Sequence, residues 1–462
     1  MVGREIEEAP LVIRRAVAFL DQRSGAAPFL RKTLRYVFPD HWSFLLGEVA
    51  LYAFIVLVAT GIYLTLFFEP SLSKSVYEGS YAPLRGIEVS DAYRSVIDIS
   101  FDVKAGLLIR QTHHWAADVF VVAIVLHLMR VFFTGAFRKP RELTYLIGLV
   151  MLFATLLEGY VGYSMVDDLL SGMGLAIGYG VAQSIPFVGA NLALLVWGAP
   201  FPGDHAFESR MYVAHVFLLP VLIGTLIGAH LTLVASRHHT QFRRTAVQSE
   251  RKLLGLPTFP GQTPRSLGLM SAVASLLVLM GGLIQINPIW QWGPYQLAQG
   301  TNGAQPDWYL GWLIGALRIV PPFDLTIGGY TLVPNPFWGG ALFPLLVLSA
   351  LALAPLVERR LTGDRRYHNV LDRPRDAPGR TAFGAALLAW VLLVFFAGSA
   401  DRVLVTFGIS YELQIWLYRV LAVIAPVVVF FLTRRVCREL QRDEQVARDR
   451  ELAESEARAA EA

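Results

Sequence analysis

Four histidines lie within long apolar stretches of the sequence, at two nearly equal spacings. The spacing from His113 to His127 is 14, and the spacing from His215 to His230 is 15. Ionisable side chains are costly inside a membrane helix and usually serve a function there. One such histidine could simply form a hydrogen bond to a neighbouring helix. Four at matched spacing indicate a shared ligand.

Helix geometry arranges these histidines in two pairs. At about 100° and 1.5 Å per residue, the shorter spacing turns about 40° short of four full turns and rises about 21 Å. The longer spacing turns about 60° past four turns and rises about 22 Å. Two such helices running in the same direction place His113 opposite His215 and His127 opposite His230. Neutral imidazoles facing each other are axial ligands of haem iron, so the spacing predicts two haems.

His114 is the competing ligand in the same helix. Its spacing from His127 is 13, which corresponds to about 1300° and nearly the opposite helix face. We therefore expect His113 to bind iron.

Two pairs of glycines repeat the haem spacing. The spacing is 14 from Gly47 to Gly61 and again from Gly148 to Gly162. Glycine allows a backbone to approach a flat macrocycle closely. Packing of small residues between membrane helices is the alternative, but the same period in four helices favours haem.

Two arginines lie at the same depths as the histidines. Arg110 is three residues before His113, and Arg130 is three residues after His127. A haem propionate would pair with each guanidinium. The alternative is that these side chains extend to the membrane surface.

Composition indicates a membrane protein. Of 462 residues, 54% are hydrophobic and 16% are charged, and the mean hydropathy is +0.48; soluble proteins carry about 25% charged residues. The net charge of +4 gives no indication of nucleic-acid binding. The single cysteine, Cys437, excludes a disulfide framework, a four-cysteine cluster and a Cys-x-x-Cys-His attachment within the chain. The haems are therefore expected to be b-type.

Eight segments are long and apolar enough to cross a bilayer, so we predict an all-α integral membrane fold with a four-helix di-haem bundle in its N-terminal half. The predicted spans are 43–68, 113–135, 143–163, 211–235, 266–286, 337–357, 382–398 and 410–432. Every even-numbered connection is basic, as are both termini, which predicts that both termini are cytoplasmic.

The loops divide the predicted organisation further. The connections 164–210 and 287–336 are too long to be passive linkers. The predicted divisions are a cytoplasmic segment 1–42, a di-haem domain 43–240, a cytoplasmic linker 241–265, a C-terminal domain 266–433 and a charged cytoplasmic tail 434–462. We expect the tail to be a solvated helix, with a docking segment as the alternative.

These features resemble cytochrome b of the cytochrome bc complexes, in order over residues 30–435. The resemblance includes the paired glycines, the four histidines and the stretch from Asp102 to Arg110. Residues 184–189, Ser-Ile-Pro-Phe-Val-Gly, resemble the family's outer helical loop. Residues 306–309, Pro-Asp-Trp-Tyr, resemble the family's Pro-Glu-Trp-Tyr signature.

The departures from the family pattern are specific. Asp307 stands where the family usually has glutamate, and the His215–His230 spacing of 15 is that of the chloroplast type. That type is split into two chains and attaches a further haem through a cysteine, and neither feature occurs here. The sequence most resembles actinobacterial and related Gram-positive forms, which implies a bacterial plasma membrane.

The resemblance implies two quinone sites. At the outer site, Asp307 would accept a proton beside Tyr309, with capping of the adjacent short helix as the alternative, and Pro306 and Trp308 would contribute to the site. Glu158 would be a second acid on the proton path or an interhelical hydrogen-bonding group. His239 is the candidate at the inner site, or else a basic interface anchor.

The resemblance also implies partners. They are a Rieske iron–sulfur protein, a cytochrome c subunit, a terminal oxidase and a second copy of the chain. Two other classes of protein remain open: a di-haem anchor subunit of another quinone-linked dehydrogenase, and a transporter or channel with buried histidines.

Overall fold

The computed structural model describes residues 15, 19, 21–23, 25, 34–243, 250, 253–299 and 307–461. Within these residues, eight helices are long and apolar enough to span a membrane. They are spans 1 to 8 in chain order: Trp42–Leu64, Gly106–Phe133, Glu142–Ser164, Phe207–Arg237, Thr258–Leu283, Phe337–Thr362, Pro378–Ala397 and Tyr411–Ala460. The predicted all-α membrane architecture is confirmed. A helix satisfies its own backbone polar groups, which a bilayer requires.

From residue 37 onward, the regular elements of the described residues are dominated by α-helices. They are α1 Leu46–Leu64, α2 Asp91–Phe101, α3 Gly106–Phe133, α4 Glu142–Ser164, α5 Leu169–Gln183, α6 Gly189–Trp197, α7 Phe207–Val213, α8 Leu219–Arg237, α9 Thr263–Leu283, α10 Gly311–Ile319, α11 Phe343–Thr362, α12 Pro378–Ala397, α13 Ala400–Phe407 and α14 Tyr411–Glu461. In the described part of the chain, six short strands form three antiparallel pairs: β1 Val37–Phe38 with β4 Leu256–Pro257, β2 Lys74–Val76 with β3 Glu88–Ser90, and β5 Leu325–Ile327 with β6 Tyr330–Val333.

Spans 1 to 4 form the bundle that carries the four histidines. Each packs against its neighbour in sequence, and span 5 covers spans 1 and 2. A buried cluster joins all five helices, and small residues allow their close approach. Its members are Ala50, Ala53, Ala116, Phe120, Ala123, Ala154, Ile223, Val273 and Leu277.

Span 4 contains one turn of π-helix, Ala214–Leu218, between α7 and α8. The amide of Leu219 donates to the carbonyl of Ala214, five residues back. A π-turn holds one residue more than an α-turn. It therefore absorbs the extra residue between His215 and His230 and keeps both on one face, as a spacing of 14 does in span 2.

The connection between spans 3 and 4 is folded rather than extended. It contains α5 and α6, and Asp168 caps the N-terminus of α5. The Asp168 side chain accepts from the Ser171 amide (2.8 Å), while Ser171 Oγ accepts from the Asp168 amide (3.0 Å). This reciprocal cap fixes the start of the helix.

Span 8 and the charged tail are one continuous helix, α14. The tail is largely exposed, as predicted for a solvated helix. It contacts the loop before span 7 through Glu444, which pairs with Arg373 (3.0 Å) and Arg375 (3.2 Å). The predicted domain boundaries stay predictions, because span 5 packs directly on the N-terminal bundle.

Candidate functional site

The first histidine pair joins spans 2 and 4. The ring centroids of His113 and His215 are 6.2 Å apart, and the ring planes are inclined by 77°. An imidazole nitrogen binds a first-row metal such as zinc at about 2 Å. Two facing rings at this separation therefore leave room for one metal atom between them. We call this the outer pair.

The second pair, His127 and His230, lines a cavity of about 410 Å³ within the bundle. Gly47, Gly148 and Arg130 line the same cavity. We call this the inner pair. The structure thus brings His113 to His215 and places His127 and His230 in the wall of one cavity.

Each of the four predicted glycines faces one of these histidines. The pairs are Gly61 with His113, Gly47 with His127, Gly162 with His215 and Gly148 with His230. A Cβ atom added at Gly162 would lie 2.9 Å from Nδ1 of His215 and nearer still to its Cε1, whereas at Gly148 it would lie 3.7 Å from Cε1 of His230. The glycines thus give spans 1 and 3 room for the imidazole rings.

The two predicted arginines are buried at the levels of the two pairs. Arg110 donates from Nη1 to the Asn287 carbonyl (3.1 Å), and Arg130 lies over the ring of Phe44 (3.9 Å to the centroid). Their buried Nε and Nη2 atoms have no hydrogen-bond partner among the described residues. Unpaired buried guanidinium groups require an anion, and a haem propionate supplies one.

These features fit haem at both levels. Each level has one imidazole from span 2 and one from span 4, two glycines, and one arginine whose Nε and Nη2 atoms have no partner among the described residues. Within the part of the chain that the structure describes, no cluster of three or more His, Cys, Asp and Glu side chains could hold a bare metal ion.

The two histidine pairs differ in the contacts that their Nδ1 atoms make. At the outer pair, Nδ1 of His113 lies 2.9 Å from the Thr60 hydroxyl, and Nδ1 of His215 lies 3.0 Å from Oε1 of Glu158. At the inner pair, the Nδ1 atoms of His127 and His230 have no side-chain partner among the described residues.

Asp307 is held between two side chains near the outer pair. One carboxylate oxygen is 2.9 Å from Nε2 of His114, and the other accepts from the Tyr309 hydroxyl (3.1 Å). The Asp307 side chain makes no helix cap, so the alternative role does not hold. Burial, followed by the nearby Asp307 carboxylate, raises the pKa of Tyr309 well above its usual range. Tyr309 therefore remains a neutral hydrogen-bond donor.

Trp308 ties the same segment to span 2. Its Nε1 donates to Oδ1 of Asp118 (2.8 Å). Asp118, Trp308 and Asp307 line a groove of about 500 Å³ whose other walls are mainly apolar side chains of spans 1 and 2. Pro306 lies outside the described residues.

His239 reaches the cavity of the inner pair from the end of span 4. Its Nδ1 is 2.8 Å from the Tyr36 hydroxyl, and both residues line the cavity. Arg141 lines it too, with its guanidinium donating to the carbonyls of His238 (2.9 Å) and His368 (2.7 Å). Burial lowers the pKa of His239 to about 4 and raises that of Tyr36 to about 12.

The sequence analysis did not predict two of these partners, His114 and Tyr36. His114 was weighed only as an iron ligand, although its rejection left a buried histidine without a role. It shares a helix face with Asp118, four residues on, and that spacing could have indicated a polar contact surface. Tyr36 carried no sequence signal, because its partner His239 is 203 residues away.

Comparison with known proteins identifies the family. The model for "Cytochrome b(N-terminal)/b6/petB" matches residues 118–294. A cytochrome bc1 complex cytochrome b subunit from Streptomyces coelicolor is 45% identical over 429 residues, which are 93% of this chain and 78% of that protein. The chain belongs to this family of cytochrome b subunits.

Further relatives share the match. The subunit of the same name from Mycobacterium tuberculosis strain H37Rv is 45% identical over 94% of this chain and 78% of that protein, and the one from Corynebacterium efficiens is 43% identical over 92% and 78%. These organisms are actinobacteria, which confirms the predicted resemblance. A chain of a solved hyperthermophilic respiratory complex III has the same fold, with a TM-score of 0.67 at 20% identity over 91% of this chain and 98% of that one.

Proposed function

We propose that this cytochrome b subunit oxidises quinol at the outer level and reduces quinone at the inner level. His113 with His215, and His127 with His230, would bind two b-type haems, which supply a path for one electron of each quinol between the levels. The other electron would pass to a Rieske iron–sulfur partner. The observation that carries the proposal is that spans 2 and 4 place a histidine pair at each of two levels, each with its own glycines and arginine.

At the outer site, Asp307 is the proton acceptor. Its carboxylate lines the apolar groove, where a quinol ring can lie with a hydroxyl towards it. The contacts with His114 and Tyr309 fix the direction of both oxygens. A general base must lie within hydrogen-bond reach of the proton it removes. Glu158 is the second buried acid of this site and the further candidate on the proton route.

At the inner site, His239 and Tyr36 are the groups that would bind a quinone carbonyl. They lie in the same cavity as the inner histidines, so a quinone there would be close to the inner haem. Arg130 and Arg141 place positive charge around the cavity. That charge favours a ring that gains electrons.

The membrane orientation and the partners follow from the proposed function. The chain would lie in a bacterial plasma membrane with both termini cytoplasmic and the outer pair towards the far side. Transfer of one charge across 100 mV costs about 2.3 kcal/mol, so electron transfer between the levels would generate proton-motive force. The partners would be a second copy, a Rieske protein, a cytochrome c subunit and a terminal oxidase.

A reduced-minus-oxidised spectrum with a redox titration of the purified protein tests the proposal. We expect two b-type haems of different midpoint potential. A di-haem anchor of another dehydrogenase would also show two haems but would not oxidise quinol with a Rieske partner present. A protein with one haem or none would contradict the proposal.

A further inference from the structure

One carboxylate makes the outer histidine pair chemically different from the inner one. Oε1 of Glu158 lies 3.0 Å from Nδ1 of His215, the nitrogen that would face away from iron. Both side chains are largely buried, each with 18% of its surface exposed. The contact is at ion-pair distance, without the alignment of a regular hydrogen bond.

The position of Glu158 follows from the 14-residue spacing of the two glycines in span 3. Glu158 lies four residues before Gly162, on the same helix face, and Gly162 is the residue against which the His215 ring packs. The missing side chain at 162 lets the helix approach closely enough for the carboxylate four residues earlier to reach Nδ1. Fourteen residues before Gly162, Gly148 faces His230 in the same way. The residue four before Gly148 is the neutral Thr144.

The other two ligands show the same contrast. Nδ1 of His113 lies against the Thr60 hydroxyl, whose own proton is donated to the Val56 carbonyl (2.6 Å). Nδ1 of His127 has no hydrogen-bond partner among the described residues. Of the four ligands, His215 alone has a carboxylate at ion-pair distance among the described side chains.

We propose that Glu158 is a positioning residue that sets the reduction potential of the outer haem. Its carboxylate fixes the ring of His215 and lowers the potential of the outer haem relative to the inner one. This inference rests on the proposed function, because it requires a haem at each level. It adds to that function a residue that determines the direction of electron transfer.

The physical reason is electrostatic. A carboxylate at the outward nitrogen increases the basicity of the imidazole, and a more basic ligand stabilises the more positive, oxidised iron. The negative charge itself acts in the same direction across a few ångströms of low-dielectric interior. The inner cavity carries the opposite sign, with Arg130 and Arg141 in its wall. Electrons released at the outer level are then driven inward.

The decisive variant is Glu158→Gln, which keeps the size of the side chain and removes its charge. In a redox titration of the purified complex, the outer haem should shift to a higher potential while the inner haem keeps its own. The electron paramagnetic resonance spectrum of the oxidised outer haem should change as well, since His215 loses its charged partner. Glu158→Asp, which restores the charge, should return the potential towards that of the wild type.

Glu48→Gln is the matched control. Glu48 is another carboxylate of the bundle, but it bonds to Tyr52 (3.1 Å) and Gln262 (3.2 Å) rather than to a histidine. It should leave the outer potential unchanged. If both variants raise that potential equally, the effect is a general field and the proposal is wrong.

A second variant covers the case in which Glu158→Gln fails to hold the outer haem. Thr144→Glu places a carboxylate at the equivalent inner position and should lower the potential of the inner haem. An unmoved outer potential in Glu158→Gln, or, where that variant lacks the haem, an unmoved inner potential in Thr144→Glu, overturns the inference. Absence of haem from the wild-type protein would instead contradict the proposed function.

Discussion

The outer and inner histidine pairs are built on one plan but lie in opposite electrostatic surroundings. Each pair has two glycines and one buried arginine with unpaired nitrogens. Around the outer pair lie the carboxylates of Glu158, Asp307 and Asp118. The wall of the inner cavity is mainly apolar, and its charged groups are the cations Arg130 and Arg141, with Glu48 as the one acid among the described lining residues.

The difference indicates how one helical repeat can drive a directional reaction. Acceptors of protons are needed where quinol is oxidised, and positive charge is useful where a quinone gains electrons. The repeated spacing of histidines and glycines would position the two proposed haems, and the residues around them distinguish the levels.

Replacement of a single histidine of either pair should have the largest effect. His113→Ala should remove the outer haem alone, and His127→Ala the inner haem alone, because each histidine faces a different partner in span 4. Quinol oxidation should fall to background in both. The haem content of the purified variants, measured by difference spectra, checks this. His114→Ala is the control, since it should retain both haems; loss of a haem there would show that the ligand was assigned wrongly.

Asp307→Asn should separate the outer site from the inner one. General-base catalysis contributes about 10²–10⁴-fold, so quinol oxidation at the outer site should fall by about that factor. Quinol that binds at the inner site should still reduce the inner haem. Asp307→Glu restores a carboxylate and should recover much of the rate. Steady-state rates measured across pH check the role; an unchanged rate and pH profile in Asp307→Asn would exclude Asp307 as the base.

The sequence was sufficient for the eight spans and for the two levels at which histidines of spans 2 and 4 lie, because both follow from local periodicity. Hydropathy located all eight spans but placed the start of span 2 at residue 113, whereas the helix begins at Gly106. Hydropathy measures apolar content, and a helix continues through polar residues at its ends. For the same reason, span 8 was expected to end at residue 432, although α14 continues to Glu461.

Contacts between distant segments were beyond such reasoning. His114 and Asp307 are 193 residues apart, and no periodicity relates them. The spacing of 15 between His215 and His230 did predict that spans 2 and 4 differ. It did not predict the π-turn at Ala214–Leu218 that restores their equivalence, since a sequence alone does not show which turn contains the extra residue.

Substitution of the glycines should affect the two histidine pairs differently, with a smaller effect than replacement of a histidine or of Asp307. Gly162→Ala places a Cβ against the His215 ring, whereas Gly148→Ala leaves ordinary contact with His230. Overpacking costs about 1–3 kcal/mol, so Gly162→Ala should reduce occupancy of the outer haem or the thermal stability of the protein. Gly148→Ala should have little effect on either. Equal losses in both variants would contradict the difference in packing.

The inner site should show the smallest effect, and its pH dependence identifies the role of His239. Burial, aided by Arg130 and Arg141, lowers the pKa of His239 to about 4, from about 6.5 for a free imidazole. The unfolded chain therefore binds more protons between these values, so this residue weakens stability as pH falls through about 6.5 towards 4. Between pH 6.5 and 8 the folded imidazole is neutral and offers a quinone a hydrogen bond but no charge.

His239→Gln should accordingly slow reoxidation of the inner haem by about tenfold or less, the range of one neutral hydrogen bond. The slope of the rate against pH from about 6.5 to 8 should not change, and acid unfolding should move to lower pH because the residue with the lowered pKa is gone. Stopped-flow measurements of haem reoxidation across this range check the first result, and thermal unfolding at pH 5 and 7 checks the second. A pH step near 6.5 that disappears in the variant would show that His239 titrates during turnover, and the inner site would then deliver protons as the outer site accepts them.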